Sequence, residues 1–159
     1  MTDRRVVLHP DPEAILAPIR AVGMVALIGI DGDLGTTKSS FADHLTQALG
    51  LPPAVHLDDS FAGDGSWHDP VRIARMLAER RGCGGPVVVE GVCLLESVPR
   101  SDLALLLCLH APWEPGVSRL GSTQQRVAAY LREQRPEEVS DLVLDVVVAN
   151  GTATYTRRV

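Results

Sequence analysis

Residues 24–50 read MVALIGIDGDLGTTKSSFADHLTQALG, and three patterns follow one another inside them. Residues 24–30 are a short, continuous apolar run, the signature of a strand buried on both faces. Residues 31–37 are a Gly-rich loop. Residues 38–49 carry apolar side chains at Phe41, Leu45, Ala48 and Leu49, a helical spacing, and Gly50 stops the helix. Between strand and helix lies Gly32-Asp33-Leu34-Gly35-Thr36-Thr37-Lys38-Ser39, followed by Ser40. That is where G-x-x-x-x-G-K-[ST] belongs, a loop that holds polyphosphate on backbone N–H groups and a helix N-terminus. Thr37 stands where the pattern has glycine. A β-branched residue is poor at positive φ, so Thr37 either strains the loop or reshapes it. Asp33 adds a carboxylate where a polyphosphate would curl. The alternative reading is an unrelated strand–turn–helix of an α/β protein.

The alternation continues outward. Residues 11–20 read as a helix with Pro12 in its first turn and Ile15, Leu16 and Ile19 on one face; Pro18 leaves its end open. Residues 54–57 are a short strand candidate, and Asp69-Pro70 opens a helix to about Arg81. Residues 87–89 are a buried strand ending at Glu90, and residues 103–109 another. Residues 117–134 are mostly helical and carry Arg119, Arg126 and Arg132. Residues 142–149 form a strong strand, and Asn150-Gly151 suits a type I′ turn into a hairpin over 152–156. This predicts one domain over residues 1–159: a three-layer α/β fold, mostly parallel sheet, helices on both faces, and a C-terminal β-hairpin forming an antiparallel edge.

Composition narrows the function. At 159 residues with 45% apolar and only 4% aromatic content, the chain has material for one aliphatic core. The net charge of −5 argues against a general nucleic-acid binder. No run approaches a membrane span and no leader pattern opens the chain, so no membrane partner and a cytoplasmic setting are expected. Cys83, Cys93 and Cys108 form no C-x-x-C pair, which favours reduced thiols over disulfides or zinc. Of fifteen basic residues, Lys38 alone is lysine. Genome bias explains arginine elsewhere, but at a phosphate loop a compact ammonium is not interchangeable with a planar guanidinium.

On these residues the stretch 24–50 resembles the opening of the uridine kinase-like P-loop kinases, with Ile30-Asp31-Gly32 and Phe41-Ala42 sharing in the likeness. Val55-His56-Leu57-Asp58-Asp59-Ser60-Phe61 is similar to the segment holding that family's catalytic aspartate, and the match falls on Asp59. Val88-Val89-Glu90-Gly91-Val92 is similar to its E-G motif, whose glutamate assists magnesium. The resemblance implies a cofactor pair of ATP, or another nucleoside triphosphate, and Mg²⁺. It implies a loop site of residues 32–40, with Lys38 on the phosphates, and metal support from Ser39, Glu90 and Asp59. Asp59 would serve as base, and Arg119 and Arg126 would close from a lid helix. The acceptor, a small-molecule alcohol, would meet Asp58, Phe61, Trp67 and His68. Trp67-His68-Asp69-Pro70 has Asp and His exchanged relative to the family's stretch, which points away from a pyrimidine nucleoside. The chain is also shorter than typical members.

Each residue has a plainer reading. Asp58 and Asp59 suit a turn, Glu90-Gly91 suits a strand end, and the arginines suit a solvated helix face. His56 and His110, ending apolar strands, read as satisfied rim histidines, and Trp67 as a packing anchor. The expected function is ATP- and Mg²⁺-dependent phosphoryl transfer to a small-molecule hydroxyl. Its rivals are a non-catalytic descendant serving as a regulatory or interaction domain, and a P-loop hydrolase. The oligomeric state, a homodimer included, is left open.

Overall fold

The computed structural model describes residues 4–33, 36–60, 68–111 and 122–159, with backbone only at 122 and 123. Strands are β1 (Arg5–His9), β2 (Leu27–Gly32), β3 (Val55–His56), β4 (Val87–Glu90), β5 (Leu105–His110), β6 (Leu142–Ala149) and β7 (Thr152–Arg157). Helices are α1 (Pro12–Arg20), α2 (Lys38–Leu49), α3 (Pro70–Arg81), α4 (Leu94–Ser97), α5 (Ser122–Gln134) and α6 (Pro136–Val139). A 3₁₀ turn, Leu57–Ser60, continues from β3.

The strands form one sheet of order β1-β7-β6-β5-β2-β4-β3. Its five inner and right-hand members, β3, β4, β2, β5 and β6, run parallel, and β2 lies between β4 and β5. The chain leaves β2 toward β3 and β4 on one side and returns to β5 on the other. Crevices at the C-terminal ends of such strands are where α/β sheets bind ligands.

Alternation along the strands splits the core into two layers. Ile28, Ile30, Val88, Leu107 and Leu144 pack with Ile15 and Ile19 of α1 and Phe41 and Leu45 of α2. Leu27, Val87, Val89 and Leu106 pack with Ile73 of α3 and Leu94 of α4 on the opposite face. This is the predicted three-layer α/β arrangement, with helices on both faces.

Local chemistry sets the boundaries. Asp11 and Asp69 cap α1 and α3, their carboxylates accepting from Glu13 N at 3.1 Å and Val71 N at 3.0 Å. Gly50 closes α2 at φ 63°. Pro18 cannot donate to Ala14 O, and Arg157 of β7 donates to that carbonyl instead at 2.9 Å, so α1 runs on to Arg20. Met24 and Val25 stand outside the sheet, 73% and 92% exposed, because β2 finds its first partner on β4 only at Leu27. The strand runs on through Asp31 and Gly32, residues the sequence places in the loop.

Asn150 and Gly151 both take positive φ, 51° and 74°, as a type I′ turn requires. The hairpin is antiparallel but is not the edge. β1, absent from the sequence reading, pairs parallel with β7 and covers it. The three cysteines are free thiols, and burial pushes Cys93 and Cys108 up to about 12. Among the described residues no helix is long and apolar enough to cross a membrane.

Candidate active site

β2 delivers the phosphate-type loop to the middle of the sheet's C-terminal edge. Gly32 leaves the strand at φ 151°, and a Cβ there would lie 2.4 Å from Leu109 O of β5. Only glycine passes so close to the neighbouring strand. Asp31 just before it is fully buried; its carboxylate accepts from Gly32 N at 2.8 Å and from the Tyr130 hydroxyl of α5. Burial raises the Asp31 pKa to about 6, opposed by those hydrogen bonds and by Lys38.

Lys38 opens α2 and is buried. Its Nζ donates to Asp33 O at 2.8 Å, Gly32 O at 3.2 Å and Thr36 Oγ1 at 3.3 Å, while Thr36 Oγ1 donates to Asp33 O at 2.8 Å. Burial lowers the lysine pKa, and Glu90, Asp31, Asp58 and Asp33 pull it back up. Thr37 takes the left-handed conformation, φ 59° and ψ 38°, a region that favours glycine, and it gives the helix no side-chain cap. The first-turn amides of α2 therefore have no side-chain oxygen from Thr37, as an anion site requires. Ser40 follows, half-buried. Leu34 and Gly35 lie outside the described residues.

Across the site, Ser39 Oγ donates to Glu90 Oε1 of β4 at 2.9 Å. Gly91 follows because a Cβ there would meet Leu57 Cβ at 2.8 Å. His56 Nδ1 lies 2.7 Å from the same Glu90 oxygen and Nε2 lies 3.0 Å from Asp43 Oδ1. The hydrogen bond to Glu90 is the largest cause raising the His56 pKa to about 9. At neutral pH both ring nitrogens donate. The rim histidine of the sequence reading is indeed satisfied, and its partner is Glu90 itself. Asp43 sits one helical turn after Ser39, so α2 presents both on one face.

Asp58 and Asp59 are exposed on the 3₁₀ turn after β3. Burial and then Glu90 raise the Asp58 pKa, while Lys38 and His68 lower it, which puts Asp58 in the field of the loop and of β4. His68 is buried, bonded through Nδ1 to Ser97 Oγ at 2.7 Å, and burial lowers its pKa. Arg126 reaches Glu96 at 3.4 Å, and its charge is felt at His68. Phe61, Trp67 and Arg119 lie outside the described residues. On the far side of the loop, Asp33, His110, Leu131, Arg135 and Glu137 line a cavity of about 310 Å³. His110 Nδ1 lies 2.6 Å from Glu137, so that histidine also is partnered.

The chain's only two tyrosines, neither singled out by the sequence, both meet this loop. Tyr130 holds Asp31 at its start, and also accepts from Leu95 N at 3.0 Å. Tyr155 of β7 meets Thr37 at its end. Neither long-range contact has a local spacing that could announce it.

No protein-family model matches the chain, and no curated protein matches it. Among solved structures, it is similar to a possible uridine kinase from Bacillus stearothermophilus. The TM-score is 0.56 at 17% identity, covering 82% of this chain and 95% of that one. By its sheet order and this likeness, the chain shares the α/β fold of that structure, a mostly parallel sheet with helices on both faces.

Proposed function

We propose that the chain transfers the terminal phosphoryl group of ATP, or another nucleoside triphosphate, to a hydroxyl of a small-molecule acceptor, with Mg²⁺ as cofactor. The observation that carries this reading is the meeting of Lys38, Ser39 and Glu90, with Ser39 and Glu90 in hydrogen-bond contact across 51 residues of sequence. The ammonium of Lys38 and the first-turn amides of α2 hold polyphosphate oxygens. Ser39 Oγ and the Glu90 carboxylate are hard oxygen donors. Such donors suit Mg²⁺, which takes one or two protein groups and completes its shell with phosphate and water. When bound, the ion neutralises phosphate charge.

The chain's own residues do the rest. Lys38 exchanges the loop carbonyls for phosphate oxygens. The acceptor proton goes to the Asp58–Asp59 pair: Asp59 by resemblance, Asp58 by the field of Lys38, Glu90 and His68 around it. The cavity beside Asp33 takes the nucleoside end, and the side of His68 and Arg126 takes the acceptor. The name given to the structural neighbour, a possible uridine kinase, accords with an alcohol acceptor.

One observation favours a second reading, a non-catalytic descendant serving as an interaction domain. Lys38 is satisfied by its own loop, and Ser39 by Glu90. Calorimetric titration of ATP with Mg²⁺ separates the two. The kinase reading expects saturable binding that Lys38→Ala weakens about tenfold or more, the loss of a charge-assisted contact. No binding by wild type at millimolar nucleotide supports the second reading. If ATP binds, nucleoside diphosphate release across alcohol acceptors, with Asp58→Asn and Asp59→Asn, identifies the base.

A further inference from the structure

Thr37 is the position at which the loop departs from its pattern, yet its backbone occupies the left-handed region that favours glycine. It holds φ 59° and ψ 38°, conformations that cost an L-residue with a Cβ about 1–2 kcal/mol. Something else in the fold must hold it there. Thr37 Oγ1 donates to Thr36 O at 2.6 Å, which commits its one hydroxyl proton. The Tyr155 hydroxyl then donates to Thr37 Oγ1, and it also reaches Thr37 O at 3.3 Å. The same carbonyl accepts the first helical hydrogen bond, from Phe41 N at 3.0 Å. Tyr155 is fully buried, and its ring stacks on Phe41 with centroids 4.4 Å apart at 33°. Its position is set by the sheet on both sides, opposite Val146 of β6 and Leu8 of β1. Ring, strand register and α2 thus aim one phenol at one residue of the loop.

We propose that Tyr155 is a positioning residue of the phosphate loop. Its hydroxyl clasps Thr37 in the left-handed conformation, so that the C-terminal hairpin does for this loop what a glycine before the lysine does through backbone freedom. Lys38 is the next residue, so the clasp fixes where the ammonium and the first amides of α2 point. The proposal deepens the nucleotide-binding reading and rests on it for its functional half. Its structural half, the coupling of Tyr155 to Thr37, stands independently.

The test is a double-mutant cycle on the full chain with Tyr155→Phe, which keeps the stacked ring and removes only the hydroxyl, and Thr37→Gly, which removes the need for the clasp. ATP with Mg²⁺ is titrated into all four proteins, and each is unfolded in urea. Expected is about five- to tenfold weaker ATP binding for Tyr155→Phe, the worth of one hydrogen bond, and less than twofold change when the same substitution is made on Thr37→Gly. A structural role alone would not produce that rescue. Equal weakening in both backgrounds, or none in either, overturns the proposal. If wild type binds no ATP, the nucleotide reading has failed and the urea cycle decides: non-additive stabilities support the clasp, and additive ones overturn it.

Discussion

Asp31 is a carboxyl group with no exposed surface, one residue before the loop glycine, facing a tyrosine and two backbone amides and feeling Lys38 only as a smaller, through-space influence. Unfolded, it titrates near the usual 3.9; folded, it titrates at about 6. Between those values the folded chain keeps a proton that the unfolded chain has released. Stability therefore falls as pH rises through the window, by up to about 3 kcal/mol from this group. Urea unfolding at pH 4 and pH 7 should show wild type losing that much more than Asp31→Asn; equal pH dependence in the two proteins contradicts the assignment. Residue identities near the loop were legible in sequence wherever chemistry follows chain order. Lys38 and Ser39 announced themselves by their spacing after Gly32. Asp31 did not, because its burial, and its hydrogen bond from Tyr130 99 residues away, exist only in the folded chain.

At the scale of elements, capping and turn residues did most of the work. Asp11-Pro12, Asp69-Pro70, Gly50 and Asn150-Gly151 each stand where the structure starts, stops or turns the chain. Pro18 left the end of α1 open in the sequence, and a tertiary contact settles it: the carbonyl it leaves without a helical donor is taken by Arg157, from the far end of the sequence. The hairpin deserves a direct perturbation, because its register places Tyr155 against Thr37. Gly151 sits at φ 74° with open space around it, so Gly151→Ala meets no clash and costs only backbone strain. A loss of about 1–2 kcal/mol, or roughly 2–8 °C in Tm, should appear in a thermal melt. An unchanged Tm would mean that the turn relaxes into another type.

For the whole molecule, the unexpected member is β1. It pairs parallel with β7 and packs Leu8 and Val6 against the core layer that holds Phe41 and Tyr155. Deleting residues 1–9 uncovers the outer edge of β7 and removes the buried Leu8, worth about 2 kcal/mol. The truncated chain should melt lower and associate with rising concentration in light scattering; a monomer of unchanged Tm would reduce β1 to an ornament. Its sequence, Arg5-Val6-Val7-Leu8-His9, is short and only partly buried, so no periodicity marks it. By itself, the sequence determined the alternation of strands and helices, the parallel core, the turn of the hairpin and the place of the loop. Those depend on apolar period, caps and glycine, all read within a few residues. Only the tertiary structure decided the order of the sheet, the covering of its edge, the meeting of Glu90 with Ser39 and His56, and the two tyrosines at the loop's ends. Such contacts join residues distant in the chain, and their energies exist only once the sheet has fixed which strand lies beside which.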